Sequence, residues 1–79
     1  NANTMISYQL SAPAKVRLTI YDVLGKPVVT LVDRYQKAGK HSISWDGKTG
    51  DGESVATGLY FYHLKAGGVV QTRKMLLLR

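Results

Sequence analysis

Short runs in which apolar and polar residues alternate dominate this sequence, and they constrain its fold more than any other feature. In the segment 15–21, the apolar side chains are Val16, Leu18 and Ile20, each two residues from the next. A side-chain period of two is typical of a β-strand with one face against a core. Comparable runs lie at 6–10, 28–32, 41–45, 59–65 and 69–78. Convincing helical periodicity is absent, so the sequence predicts an all-β fold.

Glycine and proline separate these runs where the chain must turn. Gly25 suits a turn, and Pro27 is tolerated at the start of the next strand. The Gly67-Gly68 pair predicts a two-residue β-hairpin. Segment 46–54 is the strongest loop signal, and a minimal strand is predicted around Val55-Ala56. The pattern therefore predicts an immunoglobulin-like β-sandwich of about seven antiparallel strands, the seventh being weak.

One inward-facing set of side chains per strand is expected to form the core. Trp45 alternates with Ile43, so we expect it to be buried. The run 28–32 has irregular apolar spacing, which indicates a β-bulge, and a loop is expected at 35–39. The expected core comprises Ile6, Tyr8, Leu10, Val16, Leu18, Ile20, Ile43, Trp45, Tyr60, Tyr62 and Leu64.

The charge balance is basic but dispersed. Lys and Arg number 11 against 5 Asp and Glu, which gives a formal net charge of +6. Arg73 and Lys74 are the one adjacent basic pair, so the clustering expected of a nucleic-acid footprint is missing and no nucleic-acid partner is predicted. Basic side chains also protect sheet edges, although exposed edges leave a strand-paired dimer possible. Cysteine is absent, which excludes disulfides and Cys-ligated metals.

Acidic and catalytic candidates do not form convincing sites. Asp46, Asp51 and Glu53 could supply oxygen ligands to Ca²⁺, but Lys48 falls where a calcium-binding loop needs a ligand. The alternative is that Asp and Gly shape turns here. No nucleophile elbow or phosphate-binding glycine loop accompanies the two histidines. We therefore expect no enzyme activity, no metal and no cofactor.

Two surfaces remain as candidates for binding. Tyr21, Phe61 and His63 lie on outward-facing positions and could stack against a carbohydrate. Segment 73–79 carries a basic pair, four apolar residues and a final Arg. It reads either as a last strand buried on both faces or as a terminal strand that another protein recognises by adding it to a sheet.

The order of short motifs resembles a known family. The apolar series Thr4, Ile6, Tyr8 and Leu10 is followed by Val-x-Leu-x-Ile-Tyr-Asp-Val-Leu-Gly at 16–25. Ala-Gly-Lys-His at 38–41, Trp-Asp-Gly at 45–47, Gly-Leu-Tyr at 58–60 and a Lys-plus-apolar ending come next. This ordered set covers nearly the whole chain and looks like the C-terminal sorting domain of the type IX secretion system. It is also similar to the immunoglobulin-like domain of the flagellar hook-capping protein.

The resemblance implies that residues 1–79 form a single C-terminal sorting domain, part of a larger secreted protein of a Bacteroidetes-type bacterium. Such a domain directs its cargo through the periplasm and across the outer membrane to the cell surface or medium. Its implied partners are the outer-membrane secretion machinery, the parent protein's upstream domains and a sortase-like signal peptidase that cleaves near or before Asn1. The implied recognition residues are Gly58, Tyr60, Lys74, Met75, Leu76, Leu77 and Leu78. The alternative is a carbohydrate- or protein-binding accessory or structural module of a secreted enzyme.

Overall fold

The alternating runs form β-strands in the computed structural model, which describes residues 3–78. The strands are β1 (Thr4–Leu10), β2 (Ala14–Tyr21), β3 (Pro27–Gln36), β4 (Gly39–Trp45), β5 (Gly58–Ala66) and β6 (Val69–Leu77). Helices are absent from the described residues, and none of sufficient length and apolar character to span a membrane occurs there. The predicted all-β class is confirmed.

The strands form two antiparallel sheets. β1 and β4 make a two-stranded sheet, and the other sheet has the order β3-β2-β5-β6. The connections after β1, β3 and β4 each pass from one sheet to the other. Alternation then places one face of each sheet against the core and the other toward solvent.

The core lies between the sheets, as the alternation predicts. Val16, Leu18 and Ile20 of the central strand β2 are fully buried, and Trp45 of β4 is 0% exposed. The side chains predicted for the core are buried or packed against it, and Val32 and Leu77 are buried besides. Because β2 is hydrogen-bonded to strands on both sides, its apolar residues occupy the centre of the larger sheet.

Both hairpins follow their turn residues. Gly67 has φ +59° and directly joins β5 to β6 with Gly68, which matches the hairpin prediction. At the other hairpin, the Asp22 carboxylate accepts hydrogen bonds from the backbone N–H of Leu24 and of Lys26, both at 2.9 Å. These local bonds fix the turn that reverses the chain between β2 and β3.

The described residues form no strand around Val55-Ala56, so the prediction of a seventh strand is wrong. The β4–β5 connection folds on itself instead: Thr49 N–H donates to Glu53 O at 2.8 Å, and Val55 N–H donates to Gly47 O at 3.0 Å. A single bridge pairs Lys48 with Ser54. The backbone groups that a strand would offer to a sheet are thus used inside the loop.

β3 is longer than the sequence predicts. Residues Asp33 to Gln36 continue the pairing with β2, so the expected loop at 35–39 shrinks to Lys37-Ala38. Apolar and polar residues do not alternate in this part of β3 because the edge strand runs past the region that the smaller sheet covers. Its side chains are therefore mostly exposed. The expected bulge is confirmed by two shifts in the β2–β3 register.

Candidate protein-interaction surface

The residues implied for recognition lie together at one end of the β5–β6 hairpin. The antiparallel register pairs Gly58 with Leu77 and Tyr60 with Met75. Lys74 is paired with Phe61, one position farther along. A set far apart in sequence is therefore contiguous in space, and Leu78 follows the end of β6.

Burial divides this set into two groups. Tyr60 is 7% exposed and Leu77 is fully buried, so both are core residues. Tyr60 packs edge to face on Trp45, with ring centroids 5.1 Å apart, and its hydroxyl donates to Ala56 O at 2.7 Å. A partner could reach these two side chains only by opening the core.

The exposed members form a small surface on the outer face of the larger sheet. Leu76 is 58% exposed, and its cross-strand partner Leu59 is 41% exposed. Phe61 and Lys74 are the next pair on this face. We name Leu59, Phe61, Lys74 and Leu76 the β5–β6 patch. Leu59 was absent from the sequence prediction, although its spacing of two from Phe61 could have identified it.

The last strand is therefore not buried on both faces. Its N-terminal residues Val69 and Val70 are 65% and 54% exposed, and in the described sheet β6 pairs with β5 alone. Only the C-terminal end of β6 reaches the core, through the inward-facing side chains of Leu77 and the partly buried Met75. The predicted cleavage position near Asn1 and the terminal Arg79 lie outside the described residues.

A cleft of about 560 Å³ opens on the inner side of the same hairpin. One wall is formed by β1 and the segment that follows it, from Ser7 to Ala14. The opposite wall is formed by β5 and β6, with Tyr62, Leu64 and Arg73 among its side chains. The two sheets thus separate along the edge where β1 and β6 lack further strands in the described structure.

The predicted aromatic positions lie on the outer face of the larger sheet. Tyr21 and His63 meet edge to face with centroids 6.3 Å apart, and Phe61 is the cross-strand neighbour of Tyr21. His63 Nδ1 is 3.1 Å from Thr72 Oγ1. All three rings are partly buried by one another and their neighbours, so they pack on the sheet surface.

The second histidine is in the other sheet. His41 stacks on Tyr8 with centroids 5.5 Å apart, and its Nε2 donates to Lys37 O at 2.7 Å. His41 and His63 are thus engaged in separate contacts and do not converge on one site.

The acidic loop has the geometry of a turn. Asp46 Oδ1 accepts a hydrogen bond from Lys48 N–H at 3.1 Å. This bond shapes a turn, which is the role that the sequence offered as the alternative to calcium binding. Residues 3–78 contain no group of three or more acidic, His or Cys side chains placed to hold a metal ion.

The sequence matches the FlgD Ig-like domain family over residues 1–69. The basal-body rod modification protein FlgD of Salmonella typhimurium is 42% identical over 60 residues, which are 75% of this chain and 26% of that protein. The protein of the same name from Salmonella typhi gives the same values. The chain therefore spans about a quarter of the length of these curated relatives.

The fold agrees with this family. A crystal structure of FlgD from P. aeruginosa superposes with a TM-score of 0.74 at 25% identity. The superposition covers 95% of this chain and 59% of the other. The immunoglobulin-like character of the sandwich is thereby confirmed.

These findings correct the functional predictions. The expected type IX sorting domain is wrong, because the matches are to FlgD proteins and none indicates a sorting domain. The sortase-like peptidase and the outer-membrane secretion machinery are withdrawn as partners for the same reason, and so is the strand-paired dimer. The accessory module of a secreted enzyme has no support either. The motifs shared with the hook-capping protein gave the correct relationship, and this chain belongs to the FlgD Ig-like domain family.

Proposed function

We propose that this domain is a protein-binding module of a larger protein that acts in assembly of the flagellar basal-body rod. The observation that carries the proposal is the match to the FlgD Ig-like domain family over residues 1–69. The identity of 42% to two proteins named for basal-body rod modification supports it. The predicted location, secreted or at the cell surface by way of the periplasm, remains part of the proposal, and cell fractionation tests it.

The β5–β6 patch is the surface that we assign to partner contact. Leu59 and Leu76 expose apolar area side by side, and Lys74 adds a cation beside them. Interfaces commonly place such an apolar centre within a polar surround. Of the residues implied by the sequence, Lys74, Leu76 and Leu78 are the exposed ones that a partner can contact without unfolding, while Gly58, Tyr60, Met75 and Leu77 support the fold beneath them.

We further propose that the domain works by binding and not by catalysis. General acid–base chemistry requires a titratable group within reach of other reacting groups. His41 and His63 belong to different sheets, and each is held by its own aromatic and hydrogen-bonding neighbours.

A domain exchange tests the proposal. Residues 1–79 would replace the matching segment of FlgD in Salmonella typhimurium, and swimming motility and rod completion would be scored. We expect the chimera to restore assembly, whereas an unrelated immunoglobulin-like sandwich in the same place should not. A stable, correctly folded chimera that leaves cells without rods would contradict the proposal.

A matched pair of variants tests the patch within that chimera. Leu76→Asp places a charge in the β5–β6 patch, and Tyr35→Asp places the same charge at another exposed position on β3. Both sites are solvent-exposed, so both variants should fold. We expect Leu76→Asp alone to reduce motility, and equal motility of the two strains would remove the patch from the proposal.

A further inference from the structure

The smaller sheet covers only part of the inner face of the larger one. It has two strands, and the larger sheet has four. Along β6, the inward position Leu77 is buried and Met75 is partly buried, but Arg73, Gln71 and Val69 are exposed. The inner face of β6 is therefore covered near its end and open over its first half.

The uncovered region is the cleft between β1 and the β5–β6 hairpin. Its floor is apolar, since Leu10 and Leu64 are each 7% exposed and Tyr62 lies beside them. Its volume of about 560 Å³ is within the roughly 300–1,000 Å³ usual for clefts that bind ligands. Facing sheets lie about 10 Å apart and neighbouring strands about 4.8 Å apart, so the space beside β1 suits one extended chain.

The edge of β1 supplies the hydrogen bonds that such a chain needs. Within the described residues β1 pairs with β4 alone, which leaves one side of its backbone unpaired by any strand. A third strand added here would satisfy those groups by the ladder that operates elsewhere in the sheet. It would also stabilise a two-stranded sheet, an arrangement that is marginal by itself.

Arg73 determines which kind of strand the cleft accepts. Among the lining residues that the structure describes, it is the one charged side chain. A charged side chain that lines the cleft from β6 disfavours a purely apolar segment beside β1, because the segment would bury the charge without a partner. A carboxylate on the incoming strand removes this penalty by forming a bidentate pair with the guanidinium.

We propose that the cleft binds an extended segment of another protein, which adds as a third strand beside β1 and places an Asp or Glu carboxylate opposite Arg73. The residues two positions before and after that carboxylate share its face and are apolar, since they lie over Leu10, Tyr62 and Leu64. This site is on the opposite face of the β5–β6 hairpin from the β5–β6 patch, and its occupancy does not depend on the flagellar proposal.

Synthetic peptides as long as β1 test the inference. The probe is acetyl-Thr-Val-Thr-Glu-Thr-Val-Thr-amide, whose two Val and one Glu side chains share a face. Its comparison peptide carries Lys in place of Glu, and a third carries Pro in place of one central Thr to remove a ladder donor. Backbone amide NMR shifts of the 79-residue chain, titrated with each peptide, report where and how tightly each one binds.

We expect the Glu peptide to shift amides of 7–10 and 69–73, and the Lys and Pro peptides to bind at least about tenfold more weakly. Arg73→Glu should reverse the preference, so that the Lys peptide becomes the tighter ligand. Arg34→Glu, an equal charge change at an exposed position of β3, should leave the preference intact. Both variants are at exposed sites, and the dispersion of their amide spectra verifies that they fold.

Other outcomes overturn the inference. Shifts confined to the β3 or β4 edge would place strand addition elsewhere, and equal affinity for the Glu and Lys peptides would remove the role of Arg73. Saturating peptide without shifts would exclude strand addition at β1. Concentration-dependent dimerisation that blocks the peptide would identify a second copy of the chain as the occupant.

Discussion

Trp45 shows how a single side chain joins the core to a loop. Its ring is completely buried, and its Nε1–H donates to Lys48 O at 3.0 Å in the β4–β5 loop. Tyr60 packs against the ring and donates to Ala56 O at the far end of that loop. Apolar packing and two hydrogen bonds therefore hold a glycine-rich segment in place that has no strand of its own.

Replacing Trp45 tests this arrangement. Trp45→Ala should lower the free energy of unfolding by about 3–5 kcal/mol, because it leaves a large cavity. Trp45→Phe keeps an aromatic ring but loses the bond to Lys48 O, so it should cost less than the alanine variant. Urea unfolding followed by circular dichroism measures both, and an alanine variant as stable as the parent would show that the side chain is not a core element.

Among the strands, β6 shows how two neighbouring residues of the same type can face opposite sides of a sheet. Leu76 faces solvent on the outer side of the sheet, whereas Leu77 is fully buried on the inner side. β2 differs because it is central, and even its outward Thr19 is 5% exposed, with its hydroxyl 3.1 Å from that of Thr30. An edge strand thus separates core from surface residue by residue, while a central strand is buried more evenly.

The leucine pair in β6 allows a matched test. Leu77→Ala should destabilise the domain by about 2–5 kcal/mol, because the lost side chain leaves a void between the sheets. Leu76→Ala removes the same atoms from an exposed position and should change stability by no more than about 0.5 kcal/mol. Similar shifts in the urea midpoint for both variants would show that the facing of β6 is assigned incorrectly.

For the whole domain, we expect charge repulsion to outweigh ion pairing. The formal charge is +6, while the described Lys15–Asp33 pair is 3.6 Å apart between side chains 63% and 54% exposed. Exposed pairs contribute little to stability. Dispersed positive charge on a small domain instead opposes its compact state.

Added salt should consequently stabilise the domain. Raising NaCl from about 0.02 to about 0.5 M shortens the screening length and should increase the free energy of unfolding by up to about 1 kcal/mol. Replacing the exposed Lys37 and Lys40 by Gln lowers the formal charge by two and should reduce the effect. Thermal unfolding at several salt concentrations provides the measurement, and destabilisation by salt would indicate that ion pairs dominate.

The candidate surfaces show how far sequence reasoning reaches into function. The family resemblance put Gly58, Tyr60 and the β6 residues in one recognition set, and the β5–β6 register brings them close together. It assigned them to a sorting signal, which the family match corrects. The assignment failed because the two resembling families share the alternation and turn residues that specify a sandwich, and a fold does not specify a function.

Alternation and turn chemistry act over a few residues, so the sequence was enough to predict the strand class, the hairpin at Gly67 and the burial of Trp45 and Leu18. The folded structure was needed to show that Val55 belongs to a self-paired loop and that Leu76 is exposed while its neighbour Leu77 is buried. The cleft beside β1 and the position of Arg73 in its lining were likewise visible only in the folded chain. These features depend on which strands belong to each sheet and on how far the smaller sheet covers the larger one. Both are set by contacts between residues that are distant along the chain.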